Sequence, residues 1–319
     1  MEPAVPELLE GLAARLASDE AAASLRRDPY WPKWDSPWWH MTLLWEMDEA
    51  ARIPRRAAET LADTVSSHYL KVFPLREGEL PPGADPYRHI LCHCALGTAW
   101  QVLEACGISA SERLPWARPW LARYRLPDGG WNCDEAAYTR ATPRSSVVST
   151  LPVLEVLLSL PDRTAQEEAM LDEGADYLLA RSLFRSLSKG GAVIDAAWLK
   201  PAFPLFYEYD VLRGLAFLAR WGRLRGRELP PASVRDAAAA VRKHAVGGTL
   251  APGRRAWDGA RTIAPDGRGG WEKRPAADPF ALLERVSRVG EPNPWLQRRW
   301  DAVAPSFAGL WDRTPSDPS

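Results

Sequence analysis

Cysteine and histidine crowd one short stretch of this chain, Tyr87-Arg-His-Ile-Leu-Cys-His-Cys94, and both are good ligands for an ion such as zinc. If the stretch is helical, residues three and four apart share a face. His89, Cys92 and His93 then converge, and Cys94 turns about 100° away. Cys133, or Asp134 beside it, lies on a later loop and could complete three ligands with an open position, the pattern of catalytic zinc. The plainer alternative is that the histidines hydrogen-bond locally and that Cys92 and Cys94 pack as small apolar groups. Cys106, just before Gly107, reads as core.

Two further constellations stand where helices are expected to begin. In Ser36-Pro-Trp-Trp-His-Met41, His40 heads a stripe with Leu43, Leu44 and Met47, while Trp38 and Trp39 could floor an apolar pocket or face a cation. Simple wedging between helices is the alternative for both indoles. In Phe206-Tyr-Glu-Tyr-Asp-Val-Leu-Arg213, Tyr207 and Asp210 lie three apart, placed for acid–base work on a bound molecule. An Asp210–Arg213 pair with favourable dipole placement would explain the same residues without chemistry. Arg88 and Arg144 each lie within two residues of a proline expected to open a helix, where an anion such as a diphosphate or carboxylate would be favoured. The basic run 220–227 reads as a solvated helix end. Asp134-Glu135 could supply half of a carboxylate pair for glycoside hydrolysis, which needs a partner acid across a sugar.

The elements that must position these groups are written in prolines. Proline suits the first helical position, where its missing N–H costs nothing, and a preceding Ser, Thr, Asp or Asn caps the helix. Ser36-Pro37, Asp85-Pro86, Thr142-Pro143, Asp278-Pro279 and Asn293-Pro294 follow that pattern, and Phe203-Pro204 keeps the proline alone. Apolar helical stretches are expected at 37–51, 86–106, 143–160, 204–222 and 279–288. More polar ones are expected at 5–25, 54–70, 112–125, 166–184 and 232–244. Alternation of apolar and charge-rich helices implies an inner and an outer layer, and the repeat implies stacked hairpins. The fold expected is all-α: an α/α toroid over 1–319, with a disordered tail at 304–319 and an aromatic-lined central cavity. An open solenoid is the structural competitor.

Composition narrows the function classes. Forty basic and 41 acidic residues leave a net charge of −1, which argues against nucleic acid or an anionic membrane as partner. No apolar run reaches the roughly 20 residues of a membrane span. An acidic start without an apolar leader and only four cysteines point to the cytoplasm. Sixteen tryptophans imply a broad aromatic lining or packing between helix layers, since each indole buries about 200 Å².

Leu126-Pro-Asp-Gly-Gly-Trp131, Asp266-x4-Trp271 and the tandem helices resemble the repeat of terpenoid cyclases and protein prenyltransferase β subunits, over about residues 30–290. The resemblance implies an α/α toroid and prenyl or terpenoid chemistry. Leu126 and Pro127 stand where the squalene-cyclase repeat has Gln, and no Asp-x-Asp-Asp proton donor is present, so a squalene cyclase is disfavoured. The β subunits bind zinc through Asp, Cys and His; the resemblance aligns His89 with that histidine, but Cys133 is preceded by Trp131-Asn132 rather than Asp-x. These subunits also work with a helical partner, for which no surface is legible here. The function expected is an enzyme or binding protein holding an apolar, isoprenoid-like ligand in the central cavity, metal-assisted through His89, Cys92, His93 and Cys133. A carboxylate-based carbohydrate-active barrel and a non-catalytic module with a filled ring are the alternatives.

Overall fold

Amphipathic periodicity and local caps place most helices near their expected positions. The structure, a computed structural model, describes residues 4–310. It is mainly helical, with α1 (Val5–Ala17), α2 (Asp19–Arg27), α3 (Pro37–Glu46), α4 (Arg55–His68), α5 (His93–Ala105), α6 (Ala110–Arg113), α7 (Ala117–Arg123), α8 (Val147–Ser159), α9 (Ala165–Ala180), α10 (Val211–Arg225), α11 (Pro231–Arg242), α12 (Ala281–Val286) and α13 (Pro294–Asp301). The leading helix is split because Ser18 accepts from the Ala21 amide and opens α2. Thr164 and Glu167 form a capping box at α9, and Gly226 ends α10 in the left-handed conformation. Among the described residues no helix is long and apolar enough to cross a membrane.

Five helices, α3, α5, α8, α10 and α13, each contribute side chains to the lining of one cavity of about 160 Å³. Successive members of this inner set pack side by side, and Arg299 of α13 donates to Glu46 of α3 at 2.7 Å. The tightest pair is α5 with α8: a Cβ built on Gly97 would lie 2.6 Å from the Pro152 carbonyl oxygen. One turn further along, Gln101 donates to Glu155 at 3.1 Å, so the two helices run parallel. On their apolar faces α2 packs against α3, α9 against α8 and α10, and α11 against α10, while α4 packs against α2.

Proline placement was a poorer guide than expected to where the inner helices start. Pro37 and Pro294 do open helices, but α5, α8 and α10 begin several residues after Pro86, Pro143 and Pro204. The intervening backbone finds other partners. The Asp85 carboxylate accepts from the Tyr87 amide, the Ser145 amide donates to the Asp128 carboxylate, and the amides of Leu205 and Phe206 donate to the Glu46 carboxylate. Side-chain acceptors compete with the helix for these N–H groups. The expected first turns are therefore loops.

Three more differences concern the C-terminal third. The segment expected as a fifth inner helix, 279–288, gives only the short α12, which packs on α1, and α13 takes the place beside the cavity. The chain is mainly helical as expected, with two small antiparallel hairpins added, β1 (Ala245–Val246) with β2 (Thr249–Leu250), and β3 (Thr262–Pro265) with β4 (Trp271–Arg274). Asp266–Trp271 is the turn and first strand residue of the second hairpin rather than a helix connection. Within the expected tail, 304–310 forms a 3₁₀ stretch with Phe307 buried; the remainder lies outside the described residues.

Candidate metal centre at the starts of the inner helices

The glycines of Leu126–Trp131 bring a loop down onto the bundle. The Leu126 amide donates to the Gly130 carbonyl at 2.8 Å. Gly129 has φ +96°, and a Cβ on Gly130 would lie 2.4 Å from the Thr150 hydroxyl on α8. Trp131, fully buried, donates its indole N–H to the Leu121 carbonyl at 2.8 Å and locks the turn. Two residues later the Cys133 amide donates to the Ser149 hydroxyl at 3.0 Å, which fixes Cys133 against the start of α8.

Cys133 thereby meets Cys92 and Cys94 at the start of α5. Cys92 is the N-cap of that helix and Cys94 lies in its first turn. The Cys92 and Cys94 sulfurs are 3.2 Å apart, those of Cys94 and Cys133 are 3.5 Å apart, and all three lie within 4.8 Å of one another. Thiol–thiol hydrogen bonding, most strongly with Cys133, pushes Cys92 and Cys94 above the usual thiol range. Burial works against a Cys133 thiolate, yet hydrogen bonds from Cys92 and Cys94 and the nearby His93 outweigh it and hold Cys133 low. Three sulfurs with one favoured as thiolate form a donor set that could hold a metal.

This set differs from the expected one. His89, Cys92 and His93 do not share a helix face, because the helix begins only at His93. Cys94, expected to point away, belongs to the cluster. His89 instead accepts from the Asp85 amide through Nδ1 at 3.0 Å and lies beside the His68 ring; its pKa is lowered by burial and by the His68 and Arg88 charges. His93 shares a 3.0 Å hydrogen bond with the Tyr138 hydroxyl and packs on Phe73 and Trp120, with burial lowering its pKa to about 4.

An aromatic pocket of about 180 Å³ opens onto two of the sulfurs. Tyr30, Trp31, Tyr69 and Phe73 wall it, and Cys92, Cys133 and Glu135 line it. Beside it, Lys33 Nζ donates to the Tyr207 hydroxyl at 2.6 Å and lies within 6 Å of the rings of Tyr30, Trp31, Trp34 and Tyr207. Burial lowers the Lys33 pKa and raises those of Tyr207 and Tyr30. Sequence reasoning found Tyr207 but missed Lys33, Tyr30 and Cys94. The run Tyr30-Trp31-Pro32-Lys33-Trp34, a lysine among aromatics, was the available signal.

The other expected site residues serve the scaffold or a different surface. His40 is fully buried, bonds the Trp34 carbonyl through Nε2 at 3.0 Å, and burial lowers its pKa to about 3. Trp38 and Trp39 stack on each other at 5.5 Å in the core. Asp210 caps α10 by accepting from the Arg213 amide at 2.9 Å and also accepts from the Ala202 amide; burial raises its pKa. Arg88 is tied to buried Asp28 at 3.0 Å and lies 3.9 Å over the Trp271 ring. Arg144 lines a separate surface cleft with Arg181 and Lys189. The cavity between α3, α5, α8, α10 and α13 is lined by Glu46, Glu155, Asp210, Arg213, Arg220 and Arg299 together with leucines, Ala216, Trp45 and Phe206, so its lining mixes charge with aliphatic groups rather than being aromatic.

No family model matches this chain, and no curated protein or solved structure matches it significantly.

Proposed function

We propose that the chain is a closed ring of helical hairpins, similar to the terpenoid-cyclase and prenyltransferase toroids, and that it carries a zinc centre at Cys92, Cys94 and Cys133 serving an apolar ligand. The observation that carries this reading is the convergence of three thiols from two separate segments at the wall of an aromatic pocket. Ring closure is supported by the five helices around one cavity and by the Glu46–Arg299 link between the first and last of them. Zinc bound by three protein ligands polarises or deprotonates whatever takes its fourth position. Lys33 and Tyr207, hydrogen-bonded to each other among aromatic rings, are placed to exchange a proton with a molecule in that region.

An isoprenoid-like molecule would lie along the aromatic pocket rather than in the central cavity. The cavity between Glu46 and Glu155 holds six charged side chains, whereas the pocket at the sulfurs is walled by Tyr30, Trp31, Tyr69 and Phe73. The carbohydrate reading has less support. Glu46 and Glu155 are each ion-paired to arginine, and both Asp210 oxygens accept from backbone amides.

Metal analysis of the purified full chain tests the proposal. One zinc per chain is expected, lost in Cys92→Ser/Cys133→Ser and retained in His89→Ala, with helical circular dichroism unchanged throughout. A chain that neither carries nor takes up zinc overturns the metal part. Failure of an apolar fluorescent probe to bind would leave the filled, non-catalytic ring.

A further inference from the structure

We propose that the Cys92–Cys94–Cys133 triad is a binding site for a pyramidal, three-coordinate trivalent ion of the arsenite class. The inference takes from the preceding reading only that the three sulfurs can close on one ion, and goes further in naming an ion that suits them.

The edges of the sulfur triangle carry the argument. Two metal–sulfur bonds of about 2.3 Å span an edge of about 3.8 Å at the tetrahedral angle and about 4.0 Å at the trigonal-planar angle. Bonds of the same length meeting at about 95° span about 3.4 Å. Two edges are 3.2 Å for Cys92–Cys94 and 3.5 Å for Cys94–Cys133, and the third lies within 4.8 Å. The two short edges already match the base of such a pyramid, whereas zinc would need those sulfurs to spread.

The donor count points the same way. Among the described residues the cluster contains three cysteines and no histidine or carboxylate. Zinc must recruit a fourth donor. A pyramidal ion needs only three, and its lone pair needs only space free of a donor, which the side of the pocket walled by Tyr30, Tyr69 and Phe73 offers; Arg88 and Glu135 also line that pocket. Thiolates select soft ions. The triangle is also held in advance, by the first turn of α5 on one side and by the Cys133–Ser149 hydrogen bond on the other, so little ordering is lost on binding.

The chemistry balances without an oxidant. Arsenous acid, As(OH)₃, meets three thiols; three As–O and three S–H bonds break, three As–S bonds form, and three waters leave. Arsenic remains trivalent throughout.

The test uses the reduced full chain with sodium arsenite, read by native mass spectrometry and thiol titration. One arsenic per chain and protection of three thiols are expected, with Cys106 still reactive. Binding should weaken at least tenfold in Cys94→Ser and Cys133→Ser and stay unchanged in Cys106→Ser. Four reactive thiols after arsenite treatment, or a folded Cys94→Ser chain that binds as tightly as the parent, would overturn the proposal. Thiol protection in the unmutated chain needs no variant, so a substitution that fails to fold does not remove the test. Zinc content of the same preparation separates the two readings: a zinc-free chain that takes arsenite sustains this one alone, and a zinc-bearing chain that refuses arsenite sustains only the other.

Discussion

The thiol triad and the central cavity are both built from groups that sequence rules treat as functional, yet they use those groups in opposite ways. In the centre almost every charge is spent. Arg213 grips Glu155 through two hydrogen bonds of 2.8 and 2.6 Å and donates to the carbonyls of Phe206 and Glu208, and Glu46 accepts from two amides and from Arg299. At the triad the sulfurs hydrogen-bond chiefly to one another, with Ser149 beside Cys133 and the Ala95 backbone beside Cys92, and a pocket reaches Cys92 and Cys133. A buried ion pair whose partners are all satisfied adds geometry and little reactivity. Weakly satisfied sulfurs beside an open pocket retain donor capacity for a ligand. The lesson is that burial of charge alone is a poor marker of a site, and unspent capacity next to accessible space is a better one.

The sharpest way to break that contrast is to remove one partner of the central pair. Arg213→Met should cost about 3–5 kcal/mol by urea denaturation, because Glu155 is left buried and unpaired. A loss no larger than that of a cysteine variant would mean that the centre is not a structural lock. A pH titration of stability comes next. His40 is held near pKa 3 when folded and titrates near 6.5 when unfolded, so the unfolded chain takes the proton first. Stability is full above about 6.5 and falls as pH drops toward 3, by on the order of 4 kcal/mol from this residue. In His40→Gln the acid limb should flatten; an unchanged limb would assign it to other groups.

Gly97→Ala sharpens the comparison differently, since α5 carries both Gln101 of the cavity and two of the sulfurs. The added methyl meets backbone at Pro152 and should cost about 2 kcal/mol while loosening metal binding as well. Wild-type stability in that variant would show that α5 and α8 can separate freely. The smallest effect on stability is expected at the triad. Cys94→Ser should change the unfolding free energy of the metal-free chain by less than about 1 kcal/mol, yet diminish the sulfur-to-cobalt charge-transfer absorption of the cobalt-loaded protein. A large stability loss with full cobalt absorption would reverse the assignment of roles.

Much of the helical framework was legible in the chain, because amphipathic periodicity and caps act over a few residues. The polar helical segments expected at 54–70, 166–184 and 232–244 appear as α4, α9 and α11, and the glycine turn before Trp131 follows α7 and leads toward α8. Cys133 as a companion of Cys92 was also within reach, since both stand near expected inner-helix starts. The rest depended on partners distant in sequence. Glu46 holds the amides of 205 and 206, Asp28 holds Arg88, and Asp128 holds Ser145, and these contacts turn the expected first helical turns into loops. Once α5 starts at His93 rather than near Pro86, the helical phase that would have joined His89 to Cys92 disappears, and Cys94 enters in its place. Local sequence determined which segments could be helices and that sulfur would gather near one end of them. Only tertiary structure decided which sulfurs meet, because that choice rests on hydrogen bonds between residues far apart in the chain.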